Sequence, residues 1–244
     1  MRIDIDTVRD VKAVPKTLEL LNKHGVKASF FVTTGVDEAY KNFRRYLNPK
    51  RFLSATWMQR YGLDAFAGLI TRREVQSSKE LVQILQCGHE LGLHGYNHFT
   101  WMNSLEGLSE ETVTSWISSG CELFEEAFNV PPMCFAAPGF NVSQAFLLAL
   151  DGFGFRYSSD FLGLKPFYPH LDGGLAQTPQ LPVSLAIGEY DDATGLELLK
   201  AQIDAGYAVF YLHPSYEPVF RPGLLERALK LVAGKAAPLG RMAP

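Results

Sequence analysis

The residues best placed to do chemistry are two histidines four positions apart, His94 and His98 in "GLHGYNHFTW", and two aspartates two apart, Asp4 and Asp6 in "RIDID". Alternate residues of a strand point to one face, so Asp4 and Asp6 project together if "RIDID" is extended. Two like charges buried side by side are costly unless a cation or a proton lies between them. Two neutral imidazoles with one carboxylate can hold zinc or another divalent transition ion and leave positions open for water and substrate. Asp6, His94 and His98 supply that set, and Asp4 beside it is free for proton work. Each pair alone has a plainer reading. Asp6 can cap the turn into the next helix while Asp4 faces solvent, and six histidines give a real chance of an accidental i,i+4 pair. Their combination favours the metal.

Other polar residues fall at the C-terminal ends of expected strands: Asp160 after "FRYSS" and His213 after "YAVFYL". In parallel α/β barrels that end is where active sites are built, so Asp4, Asp6, His94, Asp160 and His213 converge on one mouth. The elements that must position them alternate along the whole chain. "RIDID" has strand period, and "VPKTLELLNKHG" has helical spacing and stops at Gly25. "VKASFFVT" is a buried strand, and "SSKELVQILQCG" is a helix opened by a capping-box pair, Ser77 and Glu80. "HELGLH" is the third strand. A helix over 109–129, a strand at "MCFAAP", a short helix over 143–151, and a strand at "FRYSSD" follow. Then come an extended "AQTPQLPV", a helix at "ATGLELLKAQIDAG", a strand at "YAVFYLH" and a helix at "GLLERALKLVAG". Such alternation argues a parallel sheet, doubly wound or closed as a barrel.

With 244 residues, 47% of them hydrophobic, the chain is long enough for one large core, and one domain is expected. A net charge of -3 gives no global attraction to nucleic acid. Cys87, Cys121 and Cys134 lie at no metal-like spacing and read as buried free thiols in a reducing compartment. The opening "MRIDIDT" lacks a signal-peptide pattern and no apolar run is long enough for a membrane span, so a cytoplasmic protein is expected. One segment, 37–70, is long for a βα connection. Its Arg44, Arg45, Lys50, Arg51 and Arg60, mixed with aromatics, read as an extra helical pair on the barrel, as a surface for an anionic substrate or, over 43–61, as a peripheral contact with anionic headgroups on the inner membrane face.

The motifs "RIDIDT", "CGHELGLHGYNH", "AAPGF", "SSD" and "YLH", in this order across nearly the whole chain, resemble the polysaccharide deacetylase, or NodB-homology, family of carbohydrate esterase family 4. "GHELGLHGYNH" matches that family's G-H-E-x-G-x-H-x-x-x-H run at every fixed position. "RIDIDT", "KHGVKASFFVTTGVD", "RYSSD" and "AQTPQLPV" are most similar to the branch that deformylates undecaprenyl-phosphate 4-deoxy-4-formamido-L-arabinose. The resemblance implies a distorted (β/α)7 barrel and a role for each matching position. Asp4 would be the catalytic base, Asp6, His94 and His98 the metal ligands, His213 the general acid, and the Gly139 N–H an oxyanion donor. Asp160 would hydrogen-bond His213 and hold it protonated. One departure stands out. The family's Arg-x-Pro motif is Ala136-Ala137-Pro138 here, and the arginine that the deformylase branch carries shortly after is Asn141. A different tuning of Asp4 is therefore expected, with Arg156 as one candidate.

The reading that follows is a metal-dependent hydrolase removing a formyl or acetyl group from an amino sugar, with a lipid-phosphate-linked sugar preferred. Zinc is the default metal for these ligands, with cobalt, manganese, nickel or iron as substitutes. Alternatives are an N-deacetylase of peptidoglycan- or chitin-type polymers, a catalytically weak carbohydrate-binding relative, and a hydrolase of small cyclic amides. Among the remaining candidates, His89 reads as a buried hydrogen-bonding residue and His24 as a helix C-terminal cation. Tyr216, Glu217 and Arg221 are sugar contacts or solvated loop residues. Trp101 either stacks on a sugar ring or covers the helix below.

Overall fold

A strand becomes buried on both faces when helices cover one side of a curled sheet and its own concave side is filled, and β1 (Arg2–Ile5) and β2 (Ser29–Thr34) are buried along their full lengths. The computed structural model describes residues 1–42, 59 and 61–243. Seven parallel strands curl into a half-barrel. They are β1, β2, β3 (Glu90–Tyr96), β4 (Cys134–Phe135), β5 (Tyr157–Ser158), β8 (Leu185–Ala186) and β9 (Phe210–Leu212), in the spatial order β5-β4-β3-β2-β1-β9-β8. The small hairpin β6 (His170–Leu171) and β7 (Gly174–Leu175) stands apart from this sheet. Between the two edge strands runs residues 178–183, irregular but tied to β5 by Ser158 N–H to Pro179 O and Leu181 N–H to Ser158 O.

Among the described residues the named helices are α1 (Val8–Lys23), α2 (Val82–Gln86), α3 (His98–Ser104), α4 (Glu110–Phe128), α5 (Gln144–Asp151), α6 (Asp192–Asp204), α7 (Glu217–Phe220) and α8 (Pro222–Val232). Strand parity sorts the core. Ile3 and Ile5, Phe30 and Val32, Leu91 and Leu93, Phe135, and Phe210 and Leu212 pack outward with the helices in the main cluster. Phe31, Cys134, Ala136, Tyr157 and Val209, each one step out of phase, fill the concave side. Arg2, Asp4 and Asp6 share the inward parity, as do His94 and His213.

Several boundaries differ from expectation. Helix α1 begins at Val8, two turns early, because Thr7 and Asp10 form a reciprocal capping box; Pro15 lies within the helix. The expected box at Ser77 does not form, since Ser77 Oγ donates to Glu74 and Ser78 opens the short turn Lys79–Leu81 without a side-chain cap. Helices α4 and α5 begin after the caps Ser109 and Ser143. The three cysteines are free thiols. Of the 37–70 segment, 3-10 turns Ala39–Asn42 and Leu63–Leu69 are described. Ala39, Tyr61 and Ala65 pack with Phe99, whereas Arg44, Arg45, Lys50, Arg51 and Arg60 lie outside the described residues. Among the described residues no helix is long and apolar enough to cross a membrane.

Candidate active site

The histidine spacing arises from a turn rather than a helix face. His94 lies in β3 and His98 opens α3, and the chain reverses between them through two left-handed residues, Gly95 (φ 68°) and Asn97 (φ 51°). A Cβ on Gly95 would also come within 2.8 Å of Pro138, so glycine is required there twice over. This turn aims both Nε2 atoms at Asp6. Its Oδ1 is 3.3 Å from His94 Nε2 and 3.4 Å from His98 Nε2, and its Oδ2 is 3.4 Å from His213 Nε2. Asp4 Oδ2 lies 3.9 Å from His94 Nε2. All five side chains are buried.

The distances suit a shared ion better than direct hydrogen bonds. Ligand bonds of about 2.1 Å in tetrahedral array separate neighbouring donors by about 3.4 Å, while hydrogen bonds to oxygen centre near 2.9 Å. Asp6, His94 and His98 each offer one donor atom, all within 4.8 Å of one another. The Nδ1 of His94 is 2.8 Å from Ala136 O. A carbonyl only accepts, so Nδ1 carries the proton and the Nε2 lone pair faces the site, as a metal-binding histidine requires. Burial lowers His98 to about 4 despite the nearby carboxylates, which leaves it neutral at pH 7 and able to ligate. Burial alone would raise Asp6, but the adjacent His98 and His213 more than offset this and hold it well below the usual carboxylate range. A divalent ion therefore fits these three residues.

Asp4 has a partner that the sequence reading did not find. Its two oxygens accept from the Nε and Nη2 of Arg2, at 2.7 Å each. Arg156, the candidate named for this task, is exposed and donates to Gly240 O instead. Burial would raise the Asp4 carboxyl, yet the Arg2 guanidinium brings it below its ordinary value, so Asp4 is ionised at neutral pH. The signal was available, because Arg2, Asp4 and Asp6 share one face of a strand, but a charged residue at the second position of a chain invites no expectation of burial.

Asp160 also differs from expectation. Its carboxylate accepts from Ala137 N–H at 2.7 Å, Ser158 Oγ at 2.6 Å and Gln180 Nε2 at 2.9 Å, so it ties β4 and β5 to the 178–183 segment in place of holding the His213 ring. Burial raises its carboxyl, against the pull of these donors. Around His213, the main-chain N–H donates to Glu217 Oε2 at 2.8 Å, and Tyr211 meets the ring edge-on. Asp10 was missed as well. One of its oxygens accepts from the N–H groups of Asp6 and Thr7 and the other from Ser215, so a single carboxylate joins the turn after Asp6 to the loop after His213.

Gly139 sits exposed at φ 62° in the turn Pro138–Phe140, between a buried proline and a half-buried phenylalanine. Its missing Cβ would come 2.8 Å from Met102 Cε, which accounts for the glycine without a substrate. Trp101 is fully buried against Trp116, Phe135 and Phe146, so it covers the core. His89 is buried and accepts from Ala28 N–H, His24 caps α1, and His170 is exposed in β6. Beside the site opens a cavity of about 330 Å³, whose walls include Glu189, Tyr211, His213, Tyr216 and Glu217. Arg221 is engaged elsewhere, by Gly188 O and Asp192.

Comparison with known proteins accords with this arrangement. The chain is 31% identical over 247 residues to the "Probable 4-deoxy-4-formamido-L-arabinose-phosphoundecaprenol deformylase" of Shewanella sediminis, covering 94% of this chain and 79% of the relative. It is 28% identical over 229 residues to the protein of the same name from Wigglesworthia glossinidia brevipalpis, covering 84% and 77%. Among solved structures, a Mycobacterium smegmatis protein described as a polysaccharide deacetylase superposes with a TM-score of 0.68 at 20% identity. The match covers 100% of this chain and 87% of that one, a likeness of fold. The family model for polysaccharide deacetylase matches residues 4–158, the stretch that runs from the Asp4 carboxylate through His94 and His98 to β5, and on these grounds the chain belongs to the polysaccharide deacetylase family.

Proposed function

We propose that this protein is a metal-dependent N-deacylase that removes a formyl group from an amino sugar carried on a polyprenyl phosphate. The observation that carries the chemistry is the convergence of Asp6, His94 and His98 on one buried point, with Asp4 and His213 at its edges. The likeness to the two deformylases supports the substrate. A divalent ion, zinc by default, would supply Lewis acidity toward the acyl carbonyl and toward water. Asp4, ionised and anchored, accepts the proton that water loses as its oxygen attacks the acyl carbon. His213 Nε2 gives a proton to the nitrogen as the C–N bond breaks, and the products are formate and the free amine. The neighbouring cavity, polar through its tyrosines and glutamates, receives the sugar.

We place this work on the inner face of the membrane, with the basic residues of 43–61 meeting anionic headgroups. Co-sedimentation with anionic vesicles should be strong at low salt and fall as salt rises. No binding at low ionic strength would refute the membrane contact alone.

The enzyme reading is tested by amine release from three compounds: the undecaprenyl phosphate of 4-deoxy-4-formamido-L-arabinose, an N-acetylglucosamine oligomer and a cyclic ureide. Wild type should cleave the first. His98→Ala should lose stoichiometric metal and activity together, and Asp4→Asn should keep the metal while kcat falls by about a hundredfold or more. Full activity in metal-stripped protein would refute the mechanism, and cleavage of the oligomer alone would reassign the substrate.

A further inference from the structure

We propose that Arg2 is the positioning residue of the proton acceptor, fixing the Asp4 carboxylate from within its own strand. The inference rests on the reading of Asp4 as catalytic base. Arg2 is fully buried, so its guanidinium has no route to a substrate or to solvent. Its donors are spent inside the protein. Nε and Nη2 grip the two Asp4 oxygens as a fork, while Nη1 is bonded to the main-chain oxygen of Ser159, with Ser159 Oγ at 3.4 Å. Two aromatic faces lie against the cation: its central carbon is 5.5 Å from the Phe31 ring centre and 4.7 Å from that of Phe140. Phe140 holds a left-handed backbone, φ 54°, that an aromatic residue adopts only under constraint, and in this conformation its ring closes over Arg2.

The placement has a mechanical consequence. Arg2 and Asp4 are two residues apart on β1, which is paired on both sides, Arg2 opposite Ser29 of β2 and Tyr211 of β9. A fork on both oxygens, mounted on the same rigid element, leaves the carboxylate plane little freedom to turn toward His94 or the ion position. Bidentate guanidinium geometry provides this; a lysine ammonium is a point charge and cannot. The absence of arginine at Ala136 and Asn141 is then no loss, because the cation enters from β1. Ala136 is buried in the same inner cluster as Phe31, the ring beneath the guanidinium.

The test is a cycle on the full-length protein, with cobalt(II) binding, a thermal melt, kcat and KM measured for each variant on the formamido-arabinose lipid phosphate. Arg2→Lys should fold and bind cobalt with wild-type stoichiometry and visible spectrum, hold KM within about twofold, and lose kcat by about ten- to a hundredfold, the penalty of a misplaced reacting group. Arg2→Met added to Asp4→Asn removes both charges and should fold, with no further loss of rate beyond that of Asp4→Asn alone. The proposal is overturned if Arg2→Lys keeps wild-type kcat, if its cobalt affinity and rate fall together, or if Arg2→Met deepens the defect of Asp4→Asn. Wild-type kcat in Asp4→Asn would instead sink the base assignment itself, a separate result. The Arg2→Lys comparison is made against wild type and does not depend on residual rate in Asp4→Asn.

Discussion

His89 shows what a buried imidazole away from the His94 and His98 pair does. Its Nδ1 accepts from Ala28 N–H at 3.1 Å and its ring meets Phe30 edge-on, so the residue links β2 to the start of β3 in the neutral form. Burial, with Lys27 nearby, lowers it to about 4. A depressed folded value means that His89 contributes stability above the unfolded value of about 6.5, and that this is lost as pH falls from there toward 4. Protonation would turn the Ala28 N–H toward a second N–H. His89→Gln keeps an acceptor without the titration, so its melting temperature should fall less than that of wild type between pH 7 and 5, by about 3 °C for each ~1 kcal/mol in a domain of this size. Parallel curves for the two proteins would count against the assignment. At this scale the sequence was informative where residue type and chemistry coincide. His94, His98, Asp4 and Asp6 stood out because carboxylates and imidazoles at strand ends are rarely decorative. Arg2 did not, since its value depends on a neighbour's need for a cation. Asp160 was placed at the right strand end and given the wrong partner, because a strand end does not say which of several neighbours a buried carboxylate will satisfy.

At the level of elements, the turn after β1 carries more than a helix cap. Asp10 receives the N–H groups of Asp6 and Thr7 and, on its other oxygen, Ser215, and so couples the first βα turn to the loop that follows His213. Burial and the proximity of Asp6 raise its carboxyl, so these donors also keep a costly charge in place. Asp10→Ala should lose the carboxylate half of the capping box, worth about 1 kcal/mol, and strand the Ser215 donors, worth about 1–3 kcal/mol more, together several degrees of melting temperature. Because Asp6 and His213 lie on opposite sides of this tie, kcat should fall more than stability alone explains at a temperature where the variant is fully folded. Unchanged kcat there would reduce Asp10 to a cap. The β1 period and the strand of β2 were legible as strong local patterns. The first turns of α1 were not, since "TVRD" is polar and its capping box uses Asp where Glu or Gln is the usual signature. Conversely, Ser77 and Glu80 have the signature and make no cap, because the chain there enters a tight 3-10 turn one residue later.

Across the whole molecule, the two ends of the half-barrel do separate jobs. The mouth holds Asp4, Asp6, His94, His98 and His213. The far end is closed by the chain's last described turn, where Leu239 is fully buried on the concave side and its N–H donates to Ser29 Oγ, while Gly240 N–H and Tyr157 Oη donate to Glu90. Ser29 lies opposite Arg2, and four residues of strand, about 13 Å, separate that level from Asp6. The alternation of elements made a barrel-like sheet legible, but this closure was not, since a turn with Pro and Gly near the end of a sequence carries no periodic signal. The separation yields a linkage test. Zinc at a hundredfold excess over its dissociation constant should stabilise the folded protein by about 2.7 kcal/mol, and His98→Ala should abolish that gain. Leu239→Ala should cost about 2–5 kcal/mol for the cavity it leaves. Sites this far apart with no shared partner are additive within about 0.5 kcal/mol, so the zinc-induced gain in Leu239→Ala should equal that of wild type. A smaller gain would mean that the inner cluster around Phe31 transmits packing from the closed end to the mouth, and that the ligands are held by the barrel as one body rather than by their own turns.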